Sequence, residues 1–208
     1  RRFDVNLAKA ALEVAIARGK ATAKFPFSEK LFFTREALEQ ASSWEIAVHR
    51  AQRYRPFEHL VDLGCSAGSD SLALAEIART IGIDLDALRL GMARANLAAR
   101  ECQNAQVIAA DLTRPLPFRL DASMGLFFDP GRREATGERI HSVNAYHPPL
   151  RVIEGWLKRC PNLGVKLSPG VNLAELAAYG AEIEFISNKG ELKEAVLWFG
   201  PLNSAVRR

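Results

Sequence analysis

From Pro56 onward, short apolar runs alternate with helix-spaced stretches, and this alternation narrows the fold more than any other feature of the chain. HLVDL is followed by SLALAEIART, and IGIDL by ALRLGMARANLAAR. AQVIAAD and SMGLFFD come next, then PLRVIEGWLKRC, LGVKLS and NLAELAAYG. Strands separated by helices predict a parallel sheet covered on both faces, because a parallel crossover needs a helix-sized connection. The end, AEIEFIS-NKG-ELKEAVLWFG, predicts two strands around a tight Asn-Lys-Gly turn, which adds an antiparallel strand at the sheet edge. Residues 1–56 read instead as a small helical segment. DVNLAKAALEVAIARG sets Leu7, Ala8, Ala11, Leu12, Ala15 and Ile16 at helical spacing, with Gly19 as its stop. Thr34 is placed to cap TREALEQA, and Ser42 with Glu45 forms a capping box.

Composition sets limits around this pattern. The chain has 208 residues, of which 48% are hydrophobic and 25% charged, values that suit one globular domain with its own core. A net charge of +4 weakly favours a polyanionic partner. Cys65, Cys102 and Cys160 are scattered, and they form no CxxC pair and no cluster with the four histidines. No metal site is therefore expected, and reduced thiols suit a cytoplasmic location. No apolar run is long enough to span a membrane. The opening RRFDV lacks Met and the closing SAVRR reads as a cut, so the chain is expected to be a piece of a longer protein.

The first strand meets an unusual turn. EHLVDLGCSAGSD places an acid, Asp62, at the strand tip and then small residues at Gly64, Ser66 and Gly68. Small residues there let backbone approach a ligand, and Ser69 or Asp70 can cap the next helix. In open parallel sheets ligands bind beyond the carboxyl ends of the strands. Three more strands end in acids at the same rim: Asp84 in GIDLD, Asp111 in IAADL and Asp129 in FFDPGRR. Each alone is an ordinary turn former. Four in register point to a site. Asp84, about twenty residues beyond the glycine loop, can accept from both ribose hydroxyls. Asp62 would repel the pyrophosphate of a dinucleotide, but it suits the sulfonium and ammonium of S-adenosyl-L-methionine, which has no phosphate. Gly-x-Ser-x-Gly also has the spacing of a hydrolase nucleophile elbow, where Asp62 has no role.

These segments resemble the class I S-adenosylmethionine-dependent methyltransferases. VDLGCSAGSDSLALA looks like their first motif, GIDLDALRLGMARANL their second, VIAADL their third and LFFDPGRR their fourth. Ser66 stands where Gly is more usual. The resemblance implies an α/β, Rossmann-like, seven-stranded and mostly parallel sheet with a C-terminal antiparallel hairpin. It divides the chain into a helical N-terminal segment (1–56) and a cofactor-binding domain (57–208). It also implies that Asp62, Gly64, Cys65, Ser66, Gly68, Asp84, Leu85, Asp111, Leu112 and Asp129 hold the cofactor. KF…LFFTREALEQAS, LFFDPGRR, KLSPGV and GELKEAVLWFG are similar to a bacterial subgroup that often carries a THUMP-like domain after the methyltransferase. LEQASSWEIAVHRA is similar to the entrance segment of nucleic-acid methyltransferases. This adds Gln40, with Ser42 or Ser43, at the methionine end of the cofactor, although Ala41 replaces a Tyr.

Methyl transfer is an in-line displacement in which alignment is the protein's main task. Asp129 and the carbonyl of Pro130 are the expected catalytic groups, holding an exocyclic amine as Asp/Asn-Pro-Pro-Tyr does in amino-methylating relatives. The stacking aromatic is missing there; Phe25, Phe32, Phe33 or Tyr146 could replace it, and Phe33 is taken as the substrate contact. Arg132 and Arg133 suit phosphate or the rim acids. Lys20, Lys24, Lys30, Arg35, Arg50, Arg53 and Arg55, interleaved with Phe, suit an RNA backbone. The expected activity is methylation of a base nitrogen of nucleic acid, RNA in particular. Three alternatives stay open: a small-molecule or protein methyltransferase, a cofactor-binding module without catalysis, and a nicotinamide oxidoreductase.

Overall fold

The computed structural model describes residues 4–131 and 142–204. Seven strands form one sheet: β1 (His59–Leu63), β2 (Arg79–Asp84), β3 (Ala105–Ala109), β4 (Met124–Phe128), β5 (Leu163–Leu167), β6 (Glu182–Asn188) and β7 (Glu191–Trp198). Their order is β3-β2-β1-β4-β5-β7-β6. β1 to β5 pair in parallel, whereas β7 runs antiparallel to both β5 and β6. The order reverses beside β1, so the loop after β1 opens at the point where ligands bind such sheets.

The β6–β7 hairpin closes through Lys189 and Gly190, both at positive φ, which is the geometry a two-residue hairpin turn requires. Alternation along the strands divides the core. Val61, Leu63, Leu126, Phe128, Leu163 and Val165 pack on one face with Ile153 and Trp156. Leu60, Phe127, Val196 and Trp198 pack on the other with Ile46, Ala47 and Tyr54.

The helices are α1 (Val5–Ala21), α2 (Arg35–Gln40), α3 (Trp44–Ala51), α4 (Ser69–Ala75), α5 (Ala87–Ala99), α6 (Ile153–Leu157) and α7 (Leu173–Leu176). Helix α1 runs through Gly19, because the next residues still find helical partners and a single Gly is tolerated. The helically spaced Leu7, Leu12 and Ile16 lie exposed, while Ala17 and Ala21 carry its packing. The capping box is not formed: Ser43 precedes α3 without a side-chain cap, and the Ser42 hydroxyl accepts from Arg50 instead. Thr34 does cap α2, accepting from the Ala37 amide. The N-terminal segment shares the core of the sheet domain, with Phe25, Leu31 and Phe33 packed among Cys65, Leu72 and Leu90. Among the described residues no helix is long and apolar enough to cross a membrane.

Candidate active site at the strand tips

Residues 64–68 follow β1 in a conformation that demands small residues. Gly64 sits at φ 86°, and a Cβ there would lie 2.7 Å from the Asp129 carbonyl oxygen. Gly68 sits at φ 82° as the N-cap of α4, where a Cβ would press on Ala93 of α5. Ser66 also has positive φ, 49°, so the usual Gly at this place has a backbone reason and Ser holds the conformation at a cost. Its amide donates to Asp84 Oδ2 at 2.9 Å, while Asp84 Oδ1 accepts from the Asp86 amide at 2.9 Å. One carboxylate thus shapes both the glycine loop and the turn after β2. Neither Ser69 nor Asp70 caps α4; Gly68 takes that position and Asp70 turns to Arg50.

Asp62 lies beneath this loop, 1% exposed. Its Oδ2 accepts from the Ser71 hydroxyl at 2.5 Å, and its Oδ1 is buried without a partner among the described residues, as is the Ser66 hydroxyl oxygen. Burial, then the neighbouring Asp70 charge, pushes the Asp62 carboxyl well above the ordinary carboxylate range. Cys65 is buried too, and burial followed by the Asp62 and Asp84 charges raises its thiol, so it stays protonated and serves as apolar filling.

At the next tip, Asp129 is pinned along its backbone, its amide donating to the Leu63 carbonyl at 3.1 Å. Lys166 of β5 donates to its Oδ2 at 2.6 Å, and the buried Pro130 follows. Below, Arg50 of α3 donates to Glu194, Asp70 and Ser42, with its guanidinium over the Phe127 ring. Among the described residues, four acids (Asp62, Asp70, Asp129, Glu194) thus stand against two bonded cations (Arg50, Lys166) in a largely buried cluster, with Lys24 within electrostatic reach of Lys166. An acid excess beside an orphaned carboxylate oxygen suits a small cationic ligand.

The remaining expected residues fall in different places. Leu85 is exposed beside Asp84, and Leu112 is buried next to Asp111. Asp111 lies at the same rim but closes a local turn, accepting from the Thr113 amide and hydroxyl. Gln40 donates to Glu36 one turn back on α2. Phe33 corrects the expectation of a substrate contact: it is 5% exposed, with its ring stacked on Phe25 in the core. Tyr146 is fully buried as well. Arg132 and Arg133 lie outside the described residues.

The basic N-terminal set also divides. Lys24 caps the end of α2, donating to the carbonyls of Leu38, Glu39 and Ala41. Arg50 is buried, Arg53 binds Glu182 and Glu184, and Arg35 pairs with Glu39. Lys20 and Lys30 remain exposed.

Besides Glu194, three contributors escaped the sequence reading. Lys166 is one; the buried Ser71 is another. The third is Asn96 of α5, whose side chain clamps the Phe32 backbone and donates to the Ala67 carbonyl at 2.8 Å. A polar residue inside an otherwise apolar helical stripe was the available signal for Asn96.

A family model described as a methyltransferase domain matches residues 60–131. Proteins of two Mycobacterium tuberculosis strains, CDC 1551 / Oshkosh and H37Rv, are described as uncharacterized S-adenosylmethionine-dependent methyltransferases and are 38% identical over 181 residues. The match takes in 85% of this chain and 48% of theirs, so the chain spans about half the length of the curated relatives it matches. The crystal structure of a protein assigned as a methyltransferase from Porphyromonas gingivalis W83 superposes with a TM-score of 0.76 at 18% identity, over 99% of this chain and 53% of that one. An rRNA methylase from Streptococcus thermophilus superposes with a TM-score of 0.54 at 15% identity, over 74% of this chain and 94% of that one. At these identities the two structural likenesses concern the fold.

Proposed function

Residues 60–131 match a methyltransferase-domain model, and from that premise we propose that the chain transfers a methyl group from S-adenosyl-L-methionine to a base nitrogen of RNA. The observation that carries the cofactor reading is the buried acid excess around Asp62 among the described residues, where one carboxylate oxygen has no partner beside a loop no larger side chain could form.

Asp62 Oδ1 and the Ser66 hydroxyl are the groups that would accept from the methionine ammonium, and Asp84 from the ribose. Gln40 and Leu85 line the same rim in this reading. When bound, the cofactor supplies a methyl on a sulfonium that needs no further activation. What remains for the protein is alignment and exclusion of water. Asp129 and the Pro130 carbonyl accept the N–H groups of the target amine, which turns its lone pair toward the methyl. The nitrogen would take the methyl as its bond to sulfur breaks to leave a thioether, and would then release a proton to solvent.

Support for RNA comes from the net charge of +4 and from Lys20 and Lys30, which stay exposed on the segment packed beside the loop. The three cysteines are unbridged, which suits a cytoplasmic reaction.

The test offers tritiated S-adenosylmethionine together with total RNA, protein and small-molecule extracts from cells lacking the protein. Label in RNA bases is the expected result. Label in protein or small molecules alone overturns the RNA assignment, and cofactor binding without any transfer overturns catalysis. Lys20→Gln with Lys30→Gln is expected to reduce the slope of log affinity for RNA against log salt by about 1 to 2, since each phosphate contact contributes about 0.7 to 0.9. An unchanged slope removes these lysines from the RNA path.

A further inference from the structure

KLSPGV stands out in the sequence without a role, and its first residue meets Asp129 in the structure. Lys166 lies in β5 between Val165 and Leu167, which point into the core. Its own side chain points to the opposite face and is 3% exposed. A buried ammonium is costly, and replacing a buried ion pair by apolar residues is often neutral for stability or better. Stability therefore does not account for a lysine at this position.

Geometry suggests another account. The Asp129 backbone is held on both sides, by its amide bond to Leu63 and by the close approach of Gly64 to its carbonyl. Only the side-chain torsions remain to be set. Lys166 takes Oδ2 at 2.6 Å, and the Asp129 side chain keeps 22% of its surface open. We propose that Lys166 is a positioning residue: it holds one oxygen of Asp129 so that the other faces the acceptor group. This rests on the methyltransferase reading above, in which Asp129 receives the target amine. It deepens that reading, because one Asp129 oxygen then remains for one N–H and the Pro130 carbonyl serves the second.

Sinefungin tests the idea without a substrate. In this cofactor analogue a carbon bearing a primary amine replaces the methylated sulfur, so its amine probes the place an acceptor would approach. Calorimetric titrations compare it with S-adenosylhomocysteine, which lacks that amine. The wild-type chain is expected to prefer sinefungin by about tenfold or more, the value of a charge-assisted hydrogen bond. Asp129→Asn should abolish the preference. Lys166→Met should remove most of it while S-adenosylhomocysteine affinity stays within about threefold, and Lys166→Arg should keep it. If Lys166→Met does not fold, Lys166→Gln is expected to show the same loss.

A neutral variant at Lys166 that retains the preference, while Asp129→Asn loses it, overturns the positioning role and leaves the Asp129 reading intact. A preference that survives Asp129→Asn, or is absent from the wild type, overturns the assignment of Asp129 and the inference with it.

Discussion

The tips of β1 and β4 are hydrogen-bonded neighbours, and both carry an aspartate on the same sheet face, yet the two acids differ in kind. Asp62 is buried, accepts from a hydroxyl on one oxygen and meets no partner among the described residues on the other, and burial raises its pKa well above the ordinary carboxylate range. Asp129 is partly open and faces an ammonium. The motif letter is the same in both cases; the neighbour decides the chemistry. One tip offers an acceptor with no partner among the described residues, and the other a carboxylate paired with an ammonium. Two carboxylates kept in different environments are a common way for a site to divide binding from catalysis.

The strongest way to break this division is Asp129→Ala. Methyl transfer is expected to fall by about a hundredfold or more, the scale of losing reactant alignment. Cofactor affinity, read by calorimetry, should stay within a few-fold. Equal loss of both would put Asp129 in the cofactor site and dissolve the contrast between the tips.

Arg50→Met examines what both tips rest on. It leaves Asp70 and Glu194 buried without their cation, so unfolding free energy should drop by about 3 to 5 kcal/mol. Urea denaturation measures this, and a change inside experimental error would show that the acid cluster tolerates its own excess charge.

Asp84→Ala acts on the binding side alone. S-adenosylhomocysteine affinity should weaken about tenfold, through loss of charge-assisted acceptors and of the Ser66 anchor. Unaltered affinity would remove Asp84 from the ribose.

Proton linkage sharpens the description of Asp62. Its folded pKa is raised, so the folded chain holds a proton that the unfolded chain releases. Stability without ligand should therefore fall as pH rises from the ordinary carboxylate value through the raised one. A cationic cofactor needs that proton gone, so its affinity should climb over the same window, by at most about tenfold per pH unit. Calorimetry in buffers of different ionisation enthalpy detects the released proton. Affinity that stays flat as pH rises above the ordinary carboxylate value would mean that Asp62 does not face the cation.

The smallest effect belongs to Ser66→Gly. Relieving a non-glycine residue at positive φ and removing a buried, unpartnered hydroxyl should stabilise the ligand-free chain by about 1 kcal/mol. Cofactor affinity should weaken at the same time if that hydroxyl serves the ligand. A gain in stability with no change in binding would assign Ser66 to the fold alone.

Local chemistry made part of this protein legible from its letters. Strand alternation, helix spacing and the Lys189-Gly190 turn depend on nearest neighbours, so the seven strands, their tips and the hairpin could be read in advance. The small residues at 64 and 68 announced a close backbone approach for the same reason. What lies across from a residue was not legible. LGVKLS alternates properly, but nothing in it says that α3 covers the face carrying Lys166, or that Asp129 waits there. Lys24 reads as a free cation until the end of α2 supplies three carbonyls. Phe33 reads as a free ring until Phe25 stacks on it. Arg50 and Glu194 are 144 positions apart and meet only because β7 returns between β5 and β6. Periodicity determines which way a side chain points, whereas its charge state and its partner are set by packing between distant segments.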